Sequence, residues 1–130
     1  MAKRDLSKLK THDEMLAGEL AADPEFAQEW ERLAVARAVA ARLIGYRADH
    51  GLSQRALAGH LGVSQPRVVE LESGEKNPTF DTLVKIVAVT GSEFAINIAP
   101  QGATPRLAVK AVKDTTAHVY GGASLLVAAR

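Results

Sequence analysis

The sequence predicts a mainly α protein: a compact helical domain around two short, steeply crossed helices, with a helical extension before it and one β-strand after it. Three observations predict this. Aromatic residues make up only 5% of the 130 residues while apolar residues make up 47%, so Ala, Val and Leu must build the core, and such cores are usually helical. Glycines, Asp-Pro and Asn-Pro punctuate the first ninety residues into segments of helical length. One stretch, Glu93 to Ala99, switches to an alternation of period two.

Residues 1–22 are polar, with scattered Leu6, Leu9, Met15, Leu16 and Leu20; 13–21 is expected as a short helix within this arm. Asp23-Pro24-Glu25 is a helix start: Asp23 caps, Pro24 suits the first helical position, and Glu25 and Glu29 suit the positive end of the dipole. An Ala- and Arg-rich helical pattern then runs to about His50, as one long helix or two stacked ones, and Gly51 stops it. Helices are expected at 53–61, 64–72 and 79–90, separated by Gly62, Gly74 and Asn77-Pro78, with Thr79 capping the last and Gly91 closing it. Phe94, Ile96 and Ile98 alternate with Ala95, Asn97 and Ala99 as a strand ending at Pro100. Beyond it the chain is rich in Gly, Ala and Thr, with weak strand signals at 107–112 and 115–120. The organisation expected is an arm (1–22), a helical domain (23–91), a strand (92–100) and a C-terminal tail (101–130).

Net charge is +1, unevenly placed. Residues 1–30 carry four Lys/Arg against seven acids, and 31–50 carry four Arg against Glu31 and Asp49. Residues 51–91 balance at four and four. Contact with nucleic acid must therefore come from a local patch, duplicated in a dimer, rather than from a global field. With no cysteine, thiolate metal sites are excluded, and His12, His50, His60 and His118 lack metal-ligand spacing. No apolar run is long enough to span a bilayer and no signal peptide follows the charged start. A cytoplasmic protein without membrane contact, cofactor or metal is expected. No nucleophile elbow, P-loop or dinucleotide fingerprint is present, so no enzymatic activity is expected.

The informative stretch is Gln54 to Leu71, QRALAGHLGVSQPRVVEL. Two short helices packed across a tight turn must bury apolar residues one turn apart in the first helix (Leu57, Leu61) and place a small residue at the crossing (Ala58). They also need a positive φ in the turn (Gly62), an apolar plug (Val63), and inward residues at i and i+3 in the second helix (Val68, Leu71). Every structural position is filled. Ser64 caps the second helix, Pro66 sits in its first turn without loss, and Gln65, Pro66, Arg67, Val69 and Glu70 remain on outer faces. In a helix-turn-helix the N-terminal residues of this helix meet base edges in the major groove. There Gln pairs with adenine, Arg with guanine, and Glu accepts from cytosine. Gln54 stands where its amide and nearby backbone N–H groups hold a phosphate. Candidate DNA-binding residues are thus Gln54, Ser64, Gln65, Pro66, Arg67 and Glu70, with Lys76 and Asn77 as phosphate contacts from the following loop. The alternative for Glu70 is an ion pair with a nearby Arg.

Arg47 to Gln54, Leu57-Ala58, Leu61 to Gln65 and Leu71 to Gly74 resemble the XRE (Cro/C1) type of helix-turn-helix over roughly 42–91. The resemblance implies a helical DNA-binding domain acting as a homodimer on palindromic double-stranded DNA, and an ion pair between Arg47 and Glu72. A narrower resemblance over about 12–100 joins Asp23-Pro24-Glu25-Phe26, Trp30, the helix-turn-helix and a single strand ending at Pro100. It is similar to HigA-type antitoxins, which repress their own operon and neutralise a HigB-like RNase toxin. The tail after Pro100 departs from that pattern, and Pro66 and Glu70 differ from many relatives, so no operator sequence carries over.

The resemblance implies an autoregulating repressor that binds a cognate toxin, with Phe26 and Trp30 as candidate toxin anchors; alternatively they pack their helix on the domain. Phe94, Ile96 and Ile98 are candidates for a dimer interface, since a lone strand needs a partner; pairing within the chain, with 107–112, competes. Two further functions stay open: a stand-alone, prophage-type XRE regulator, and a protein-interaction adaptor that no longer binds DNA.

Overall fold

The computed structural model describes residues 10–102 and 115–130. The chain divides into two compact units, Met1–Trp30 and Glu31–Arg130. In the first, α1 (His12–Ala22) starts on a capping box: Thr11 Oγ1 accepts from the Glu14 amide at 3.1 Å, and the Glu14 carboxylate accepts from the Thr11 amide at 2.9 Å. Next, α2 (Pro24–Arg32) begins with Asp23 Oδ1 accepting from the Phe26 amide at 3.1 Å. Neither helix contains a fully buried residue. Phe26 and Trp30 are half-buried, their ring centroids 6.2 Å apart.

The helical pattern of 24–50 resolves into two helices. The break falls at Leu33, whose backbone is non-helical (φ −97°, ψ 18°), and α3 runs from Ala34 to His50. Asn77 bridges the break: its Nδ2 donates to the Arg32 carbonyl at 3.0 Å and its Oδ1 accepts from the Ala36 amide at 3.2 Å. An unsatisfied helix-end carbonyl and a first-turn amide are both provided for by one side chain. Three helices follow: α4 (Gln54–Leu61), α5 (Gln65–Ser73) and α6 (Phe80–Thr90). Their starts are capped by Ser53, Ser64 and Thr79. One core joins all four: Val39 and Leu43 from α3, Leu57, Ala58 and Leu61 from α4, Val68 and Leu71 from α5, and Ile86 from α6. Tyr46, Val63 and Phe94 pack against it.

The chain then forms an antiparallel sheet of order β1-β3-β2, with β1 at Phe94–Pro100, β2 at Thr116–Tyr120 and β3 at Ala123–Ala129. The period-two alternation is β1. Its ladder partner lies in the same chain, in β3, with Ile96 opposite Val127 and Ile98 opposite Leu125. Residues 107–112, the competing intrachain partner weighed from the sequence, lie outside the described residues. Part of the C-terminal segment read as a tail is therefore built into the sheet: 116–120 coincides with a weak strand signal, whereas no strand was expected at 123–129. β2 and β3 meet in a two-residue hairpin in which Gly121 (φ 61°) and Gly122 (φ 80°) take the paired positive φ of a type I′ turn. His118 of β2 is held by Glu31 through Nδ1 and by Thr116 Oγ1 at 2.9 Å through Nε2, which ties the outer strand to the end of α2.

Candidate nucleic-acid interface

The pair α4 and α5 is a helix-turn-helix. Ser53 Oγ accepts from the Ala56 amide at 3.0 Å and starts α4. Gly62 (φ 66°) reverses the chain, and the Val63 amide donates back to the Ala58 carbonyl at 3.0 Å. Ser64 Oγ accepts from the Arg67 amide at 3.3 Å and starts α5, with Pro66 in its first turn. Leu57 and Val68 are fully buried, and Leu61 and Leu71 nearly so. This fixes the rotation of α5. With Val68 and Leu71 inward, the step of 100° per residue turns Pro66, Val69 and Glu70 outward. Gln65, Pro66, Val69 and Glu70 are exposed and Arg67 is half-buried.

Behind this face lies a polar network. Arg47 of α3 meets Glu72 of α5 in a two-pronged ion pair, Nε on Oε1 and Nη2 on Oε2 at 3.0 Å. A third donor, Arg47 Nη1, reaches the Leu52 carbonyl at 3.2 Å. Gln54 joins from α4, its Nε2 donating to Glu72 Oε2 at 2.9 Å. Only 6% of the Glu72 side chain is exposed. Burial opposes its ionisation, but the hydrogen bonds from Arg47 and Gln54 and the attraction of Arg47 outweigh it and hold the carboxyl below its ordinary range. Donating to the Glu72 carboxylate in turn holds the Arg47 proton more firmly than usual, against desolvation. One carboxylate thus joins α3, α4 and α5.

On the outer face, Glu70 accepts from Arg67 Nη1 and lies 3.9 Å from Lys76 Nζ. The structure therefore brings Arg67, Glu70 and Lys76 into one cluster, beside Gln65 and Pro66. Asn77 stands apart from it, its amide engaged at the α2–α3 junction. Two features were not read from the sequence. Gln54 as a third member of the ion-pair network carries no local signature. Ser53 as the α4 cap was legible as a Ser just before an amphipathic helix. Among the described residues, no group of three His, Asp or Glu side chains converges as metal ligands, and no helix is long and apolar enough to cross a membrane.

Of the strand candidates, Phe94 packs against the core, whereas Ile96 is 38% and Ile98 72% exposed. Beside them, Phe80, Leu83, Val84, Val87 and Phe94 line an apolar groove of about 490 Å³ between α6 and β1.

Residues 43–96 match the family model described as helix-turn-helix. An HTH-type transcriptional regulator of Haemophilus influenzae is 39% identical over 54 residues, 42% of this chain. The chain spans 55% of that relative's length. A crystal structure of the clp gene regulator ClgR from C. glutamicum aligns at 33% identity with a TM-score of 0.40, covering 44% of this chain and 73% of that one. From the second half of α3 to the start of β1, this chain carries a helix-turn-helix domain.

Proposed function

We propose that the protein is a sequence-specific DNA-binding transcriptional repressor without catalytic activity, acting as a homodimer on a palindromic site. One observation carries this: burial of Val68 and Leu71 rotates α5 so that Gln65 and Pro66 of its first turn are exposed, with the half-buried Arg67 beside them. In that role Gln65, Pro66 and Arg67 enter the major groove, and Ser64, Gln54 and Lys76 meet phosphates. Glu70 and Asn77 act through partners in the chain: Glu70 orients Arg67, and Asn77 holds the α2–α3 junction that carries the domain. The exposed Ile96 and Ile98 on an edge strand, continuous with the α6 groove, support pairing of two copies through Phe94, Ile96 and Ile98.

The finer role proposed is that of an antitoxin. The separate N-terminal unit, with Phe26 and Trp30 held together and no fully buried residue in its helices, supports a segment built for a partner protein. DNA binding is tested by anisotropy titration of the duplex upstream of the gene against a scrambled duplex, at low and physiological salt. Preference for the upstream duplex is expected, and equal affinity for both refutes sequence-specific repression. The antitoxin role is tested by co-expression with the neighbouring open reading frame. Rescue from toxicity with a stable complex is the expected result; a harmless neighbour and no complex leaves a stand-alone regulator.

A further inference from the structure

Val69 is 47% exposed on α5. About half of its apolar surface thus faces solvent rather than the core. Val69 is also not on the rim of the core: its neighbours Val68 and Leu71 are buried, and the helical step sets Val69 as far outward as Glu70. One turn earlier on the same outward face is Pro66, also exposed and with no N–H to offer a base. The two make an apolar strip between Gln65 on one side and the Arg67–Glu70 pair on the other. Of the groups that line the major groove, one is apolar: the C5 methyl of thymine.

We infer that Val69, with Pro66 beside it, is a specificity-determining residue that packs on a thymine methyl in each half-site. The inference rests on the DNA-binding role proposed above and adds a base to it. The polar residues of α5 then select by hydrogen bonding, and the Pro66–Val69 strip selects thymine over cytosine by apolar contact.

The test uses the full-length protein and a duplex that it selects from a randomised library. Each thymine of that duplex is replaced in turn by deoxyuridine, which lacks only the methyl. Wild type is expected to lose about fourfold in affinity per half-site at one thymine position, the scale of one buried methyl group. Val69→Ala keeps a helix-favouring residue at an exposed site, so folding is retained. It is expected to bind the thymine duplex more weakly and to lose the deoxyuridine penalty at that same position. Insensitivity of wild type to every exchange, or an equal penalty in Val69→Ala, overturns the inference while leaving the DNA-binding role intact. Failure to enrich any sequence overturns both.

Discussion

Replacing Glu72 by Gln removes one charge from the junction of three helices with almost no change of shape. The wild-type carboxylate accepts from Arg47 twice and from Gln54 once. A Gln side chain offers one oxygen, so its NH2 group must face a donor of Arg47 or Gln54. Breaking a buried ion pair costs roughly 3–5 kcal/mol. Here the arginine keeps 24% of its side-chain exposure and can rehydrate, so the loss expected for Glu72→Gln is about 2–3 kcal/mol. For a chain of this size that is a fall in Tm of about 8–12 °C. Glu70→Gln is the control: its pair with Arg67 is 43% exposed on the acid, and an exposed pair contributes within about 1 kcal/mol. The pH dependence separates charge from shape. Folding holds the Glu72 carboxyl below its ordinary range, so as pH falls the unfolded chain takes up the proton first. The stabilisation is complete above the ordinary Glu value, about pH 4–4.5, and is lost as pH falls through the lower folded value. Thermal melts followed by circular dichroism from pH 7 downward should show the gap between wild type and Glu72→Gln closing through the acid range. A gap no larger than that of Glu70→Gln, or one that stays constant at acid pH, refutes the reasoning.

On the arginine side of the same pair, Arg47→Ala should lower Tm more than Arg55→Ala, an exposed residue of α4; equal, negligible shifts in parallel melts remove the ion pair from the account of stability. Arg67→Ala should weaken operator binding by about 1–3 kcal/mol with little effect on Tm, and unchanged affinity in a titration takes Arg67 off the contact surface. Deleting residues 1–22, which leaves Phe26 and Trp30 in place, should leave operator affinity largely intact; a large loss of DNA affinity in the same titration shows that the arm belongs to the DNA-binding unit.

Much of the fold was legible where the signal is local. Ser64, Thr79 and Asp23 cap helices as their residue types dictate, Gly62 takes the positive φ that the turn between α4 and α5 needs, and the core positions Leu57, Ala58, Leu61, Val68 and Leu71 follow from helical spacing. The break at Leu33 was not legible, because what stabilises it is Asn77, more than forty residues away, and Leu33 itself carries no breaker. The sheet was half legible. β1 shows its period, but β3 reads Ala-Ser-Leu-Leu-Val-Ala-Ala and does not alternate. It lies between two strands, with Val127 and Ala128 both buried, so adjacent positions are apolar. The Gly121-Gly122 pair between β2 and β3 was the available hairpin signal.

The site shows the same division, and its electrostatics explain what kind of contact it is suited to. From Ser53 to Asn77 there are three cations, Arg55, Arg67 and Lys76, against three acids, Glu70, Glu72 and Glu75. Glu70 sits on Arg67 and Lys76, and Glu72 sits on Arg47 and Gln54. The acids that look out of place on a DNA-facing helix therefore serve to fix the side chains around them. A surface with so few unneutralised cations releases few counterions, so one copy gains little from phosphate attraction. In the DNA-binding role proposed above, affinity would then rise by doubling the surface in a dimer, and discrimination would come from groups whose worth does not depend on net charge: the Gln65 amide, the oriented Arg67 fork, and the Pro66–Val69 strip. A near-neutral helix-turn-helix is in this sense better suited to choosing among sequences than to holding DNA in general, as the sequence-specific repressor proposed above requires.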